Sequence, residues 1–142
     1  GYGLYLKMLE DALASLSGEN KPEKKTIDIK LAISAYISDD YIHEDRVRLE
    51  LYRRLSKASD IQDIYKIEEE MEDRFGKPDI FTKQFIELII IKILALNLGI
   101  QSISSYEMNI TFTKANDTKE TIKSPSKDDD DIIATTLRYL RK

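Results

Sequence analysis

The sequence predicts an α+β domain: about five helices around a central buried helix, with a small, mainly antiparallel sheet. Three observations carry this. Several stretches repeat apolar residues at helical spacing, and two shorter stretches alternate apolar and polar residues with period two. The run Leu88 to Leu98 is apolar on nearly every side, as a core helix should be. With 142 residues the chain suits one domain, since domains run roughly 100–200 residues, and it can bury a core without covalent staples.

Taken in order, residues 2–17 read as an amphipathic helix, with Tyr5, Met8, Leu9, Ala12 and Leu16 on one face and Gly18 as its stop. Glu19 to Lys25 is a polar linker containing Pro22. From Ile27 to Ile37 apolar residues alternate with Asp28, Lys30 and Ser34, the pattern of a strand with one buried face, either continuous or broken in the middle. After the acidic turn Asp39 to Asp45, a second helix carries Val47, Leu51, Tyr52 and Leu55 inward. Asp60 can cap a third helix, Ile61–Phe75, which Gly76 and Pro78 terminate. The buried helix spans about Phe81 to Leu98 and closes at Gly99. Met108, Ile110 and Phe112 then alternate with Asn109, Thr111 and Thr113, and Ile100–Tyr106 is a candidate partner strand. Lys119 to Lys127 is only weakly patterned. Asp128 to Arg141 reads as a last helix, acidic at its start and basic at its end, as the helix dipole favours.

Composition excludes several functions. There is no Cys, so a disulfide scaffold, a thiolate zinc site and a Cys nucleophile are ruled out. Twenty-two basic against 26 acidic residues give a net charge of −4, which argues against a domain that mainly grips nucleic acid. No leader is visible, and the apolar run is interrupted by Lys92 and Asn97, short of the roughly 20 apolar residues of a membrane span. The expectation is a cytoplasmic protein with no membrane partner.

Motifs for chemistry are also missing. His43 is the only imidazole; a triad would need a well-placed Ser and carboxylate around it, and its place in an exposed-looking acidic turn favours a solvated loop residue. Asp128 to Asp131 lacks calcium-loop spacing, because Ile133 and Tyr139 occupy its sixth and twelfth positions. Gly1-Tyr2-Gly3 lacks the context of a dinucleotide fingerprint, and no phosphate loop occurs. Arg46, Arg48, Arg53 and Arg54 interleave with Asp45 and Glu50, which argues for internal ion pairs. No catalytic, cofactor-binding or metal-binding residue is assigned.

Charge placement says more. Residues 1–59 carry 10 basic and 10 acidic groups, while residues 60–76 carry 2 basic and 7 acidic. The excess negative charge thus sits on one helix, in Glu68, Glu69, Glu70, Glu72 and Asp73. Either this is a solvated helix face, or it is an acidic surface that steers and registers a basic protein partner.

Three ordered segments resemble one family. They are Gly1-Tyr2-Gly3-Leu4-Tyr5 running into Leu9; Ile37-Ser38-Asp39-Asp40-Tyr41-Ile42 followed by Arg48-Leu49-Glu50-Leu51-Tyr52-Arg53-Arg54-Leu55; and Asp73-Arg74-Phe75-Gly76 before a Pro. Together they look like the C-terminal domain of the bacterial transcription-repair coupling factor (Mfd) family, most clearly over residues 1–113. The family usually has Pro where Ser38 stands, a difference that should loosen one turn.

The resemblance implies that residues 1–142 are one regulatory domain of a larger DNA translocase, in keeping with a chain that opens without an initiator Met. The whole family protein is an ATP-driven motor on duplex DNA that displaces stalled RNA polymerase at lesions and recruits nucleotide excision repair. Its ATP and Mg sites lie in upstream motor domains, so this segment is not expected to be an enzyme. In the family this domain packs on an N-terminal UvrB-like module, masks the UvrA-binding surface and restrains the motor. The residues expected to face that partner are Asp39, Asp40, Glu44 and Asp45, with Glu68, Glu69, Glu70, Glu72 and Asp73. The alternative is an accessory DNA-binding domain that uses Arg46, Arg48, Arg53, Arg54 and the basic end of the last helix.

Overall fold

The computed structural model describes residues 26–142. In chain order they form β1 (Asp28–Lys30), α1 (Asp45–Lys57), α2 (Ile61–Phe75), α3 (Ile80–Asn97), β2 (Ile100–Tyr106), β3 (Asn109–Lys114), β4 (Lys119–Lys123) and α4 (Asp129–Leu140). The class is α+β, with four helices and one four-stranded mixed sheet among the described residues. The helix expected over residues 2–17 lies outside the described residues.

The sheet runs β1-β2-β3-β4. β2, β3 and β4 form an antiparallel meander, with Ile103 opposite Phe112 and Ile110 opposite Ile122. β1 joins the other edge of β2 in parallel, Ile29 opposite Ile103. A parallel neighbour needs a long crossover, and here α1, α2 and α3 supply it.

The strand expected over residues 27–37 is cut to three residues, and the reason is physical. Leu31, Ile33, Ala35 and Ile37 are buried alternately, as a strand face would be. The backbone, however, is bonded mainly to side chains instead of a neighbouring strand, with Tyr36 N–H on Phe81 O (3.2 Å) its one long-range backbone bond among the described residues. Ala32 N–H donates to Ser105 Oγ (2.8 Å), Ser34 N–H to Asp129 Oδ2 (2.9 Å), Ile37 N–H to Tyr52 Oη (2.7 Å) and Ser38 N–H to Thr82 Oγ1 (3.1 Å). A buried N–H must find some acceptor, and this segment is strapped across the core by four different elements.

Local signals fix the helices. Asp60 Oδ1 accepts from Gln62 N–H (2.9 Å) at the start of α2, and Gly76 ends it at φ 84°. Asp79 Oδ1 accepts from Thr82 N–H (3.0 Å) at the start of α3. Burial raises the Asp79 carboxyl, but hydrogen bonds from Thr82 and Ser38 outweigh it and leave the group below its ordinary value. Along α3, Phe85, Ile86, Leu88, Ile89, Ile90, Ile91 and Ile93 are all buried, and the helix touches α1, α2, α4 and β2. Each such side chain stabilises the fold by about 1.5–3 kcal/mol relative to exposure. Tyr139 of α4 stacks on Phe112 of β3 (ring centroids 3.9 Å) and its hydroxyl donates to Glu120 of β4 (2.7 Å), which ties that helix to the meander.

Candidate interaction surface

The acidic helix α2 separates into two sets of carboxylates. Ile64, Ile67 and Met71 are buried on its inner face. Glu68 and Glu70 flank that face and are tied to neighbouring helices. Lys83 of α3 donates to Glu68 Oε2 at 2.7 Å, and Arg54 of α1 forks onto both oxygens of Glu70. The Arg54 hydrogen bonds hold the Glu70 carboxyl below its ordinary value; burial opposes this, and the Arg54 and Arg74 charges add to it. Burial lowers the Lys83 ammonium, but Glu68 outweighs it and the net shift is upward. Glu69, Glu72 and Asp73 are exposed and make no ion pair among the described residues.

The acidic turn meets the C-terminal end of this helix through one tyrosine. Tyr41 Oη donates to Gly76 O (2.6 Å) and lies 3.3 Å from Met71 O, while its ring meets Phe75 edge-on at 6.0 Å. Burial pushes the Tyr41 hydroxyl up to about 12, with Glu72, Asp79 and Glu68 adding to the rise. Asp39 and Asp40, beside Tyr41 in the chain, are exposed. Against the expected loosening, Ser38 is bonded on all sides: its N–H reaches Thr82, its Oγ accepts from Asp40 N–H (3.1 Å) and its carbonyl accepts from Tyr41 and Ile42. A proline there has no N–H to give Thr82.

Glu44 and Asp45 are placed differently. Glu44 is the N-cap of α1 without a side-chain cap bond, and Asp45 pairs with Arg48. Arg48 also donates to the carbonyls of Ile42 (2.6 Å) and His43 (3.0 Å), so this pair serves the turn.

The arginines only partly follow the expected internal pairing. Arg53 pairs with Glu50 at 2.9 Å and Arg54 with Glu70. Arg46 has no carboxylate partner among the described residues, and the Arg74 guanidinium lies over the Phe75 ring at 4.8 Å. Arg46, Arg53, Arg54 and Arg74 line one open groove of about 410 Å³. Sequence spacing misses this grouping because Arg74 belongs to another helix and arrives only through the packing of α2 on α1.

Two further features lie elsewhere. Asp128, Asp130 and Asp131 bring carboxylate oxygens within 4.8 Å of one another at the start of α4. Asp129, at the acidic start that suits the helix dipole, also accepts from Ser34 N–H and from Gln84 Nε2 (3.1 Å). On α3, burial pushes the Lys92 ammonium down to about 8, with Nζ 3.4 Å from Ser56 O. No described helix is long and apolar enough to cross a membrane.

Comparison with known proteins places these observations. Residues 31–124 match the model of the TRCF domain family. The chain is 47% identical over 140 residues to the transcription-repair-coupling factor of Helicobacter pylori strain J99, covering 99% of this chain and 14% of that protein. It is 48% identical over 141 residues to that of strain 26695, with the same coverage of 99% and 14%. The Staphylococcus epidermidis RP62A factor is 30% identical over 105 residues, or 72% of this chain and 9% of the relative. A crystal structure of the C-terminal domain of transcription-repair coupling factor superposes with a TM-score of 0.60 at 24% identity, covering 64% of this chain and 56% of that one. The chain thus spans 14% of the length of its Helicobacter relatives.

Proposed function

The chain belongs to the transcription-repair coupling factor family, carrying its TRCF domain with the fold of the family's C-terminal domain, and from that premise we propose that it is a regulatory interaction domain. The reading has it dock on an N-terminal UvrB-like module of the same protein, cover the surface that binds UvrA, and restrain an ATP- and Mg-dependent motor on duplex DNA. RNA polymerase, UvrA and DNA are then partners of the whole factor, and no catalytic residue is assigned to this segment.

One observation carries the reading: α2 holds Glu68 and Glu70 in fixed pairs while presenting Glu69, Glu72 and Asp73 bare beside them. Paired neighbours fix the helix, and the bare carboxylates offer a rigid acidic edge to a basic partner. Exposed charges of this kind steer association and release reversibly. Asp39 and Asp40 extend the same edge through the Tyr41 link to Gly76. Glu44 and Asp45 contribute less, since Asp45 is engaged by Arg48. The accessory DNA-binding alternative is weakened in the same way, because Arg48, Arg53 and Arg54 each face a carboxylate.

The test is a calorimetric titration of this chain with the N-terminal module at low salt. The double variant E69K/E72K is expected to weaken binding about tenfold or more, from two reversed charges worth up to about 1 kcal/mol each. Unchanged affinity removes this edge from the interface.

A further inference from the structure

The groove between α1 and α2 has the opposite sign to the acidic edge and a different chemistry. Arg46, Arg53 and Arg54 enter it from α1 and Arg74 from α2, around an open volume of about 410 Å³. Val47, Leu49 and Leu51 give it an apolar wall, and Leu49 is 48% exposed. Arg53 and Arg54 also line a second groove of about 400 Å³ with Lys57 and Lys66.

Two of the four guanidinium groups are committed, to Glu50 and Glu70. Arg46 has no carboxylate partner among the described residues, and Arg74 is held by its stack on Phe75, touching Glu70 only through its field. A stacked guanidinium is oriented in advance, and its planar fork matches a carboxylate better than a point charge does.

We propose that this groove binds a short acidic peptide segment of a partner protein, its carboxylates on Arg46 and Arg74 and a neighbouring apolar side chain against Leu49. Charge and shape favour a peptide over duplex DNA. Glu50 lines the groove itself, and Glu44, Asp45, Glu69, Glu72 and Asp73 lie exposed on the same two helices or just before them. A duplex carries one charge per about 1.7 Å, so docking it here would bring further phosphates toward an acidic surround. A phosphate backbone also has no use for the leucine.

The probe is a fluorescein-labelled hexapeptide, Asp-Asp-Leu-Phe-Glu-Glu, titrated with the full 142-residue chain at low salt and read by anisotropy. Saturable binding is expected, and it is lost when the acids are replaced by Asn and Gln. R46E, which removes no described contact, is expected to weaken binding about tenfold, and R74Q about fivefold. K119E on distant β4 should leave it unchanged. Because R74Q also loses the stack on Phe75, R46E is the deciding variant. The proposal is overturned by no saturable binding, by equal binding of the Asn/Gln peptide, by an R46E affinity equal to that of the parent, or by tighter, steeply salt-dependent binding of a DNA duplex of the same charge.

Discussion

Lys92 offers the sharpest test of the energetics. It lies on α3, and burial holds its ammonium at about 8 where 10.5 is ordinary. That depression corresponds to about 3 kcal/mol of unfavourable charge burial at pH 7. Below pH 8 folded and unfolded chains both carry the proton, so the cost is present in full. Between about 8 and 10.5 the folded chain releases its proton while the unfolded chain keeps it, so stability rises with pH. Replacing Lys92 by Met retains the length and flexibility of the stem without the charge. It also forfeits the ammonium's polar contacts, among them the 3.4 Å approach to Ser56 O, a long bond whose loss alone costs about 1 kcal/mol. K92M is therefore expected to be more stable at pH 7 by up to about 2 kcal/mol, or at most about 6–8 °C in Tm for a chain of this size. The gain should vanish by about pH 10, where the remaining cost of charge burial no longer exceeds the lost Ser56 bond. Urea unfolding followed by circular dichroism at pH 7 and pH 10 measures both limits. A K92M chain no more stable than the parent at pH 7, or a difference that is the same at both pH values, refutes the reasoning.

Two other perturbations probe the straps and caps. Gly76 sits at φ 84° and ψ −174°, a region essentially reserved for glycine, with open space where a Cβ would stand. G76A is therefore expected to cost about 1–3 kcal/mol through backbone strain alone, and an unchanged urea midpoint would count against it. Y52F removes the buried acceptor of Ile37 N–H. It should cost about 1–3 kcal/mol and speed hydrogen exchange at the Ile37 amide, and undiminished protection there would show that the strap has another support.

What could be read before the structure depended on whether the cause was local. The bounds of α2 follow from Asp60, Gly76 and Pro78, all adjacent to the helix they delimit. The β2–β3 pair follows from alternation around a tight turn, with Ile103 opposite Phe112. The segment after β1 did not yield to the same logic, because alternation reports which side chains are buried and not what bonds the backbone. Ser105, Asp129, Tyr52 and Thr82 take the place of a neighbouring strand there, and they come from four elements far apart in the chain. The candidate surface divides similarly. The acidity of α2 is plain in Glu68 to Asp73. Which carboxylates are bare depends on Arg54 and Lys83, residues of other helices. The meeting of Arg74 with Arg46 could not be inferred from spacing for the same reason.

The parallel pairing of β1 with β2 has a consequence for the order of folding. Ile29 and Ile103 meet only after the chain between them, about 70 residues and three helices, has been drawn into a closed loop. Loop closure grows costly only slowly with length, but a three-residue strand returns little when it docks on an unformed partner. The β2–β3–β4 meander and the three helices have nearer neighbours to assemble with. β1 is therefore expected to pair only once the rest of the fold is in place, and without it the β2–β3–β4 meander keeps its own pairing.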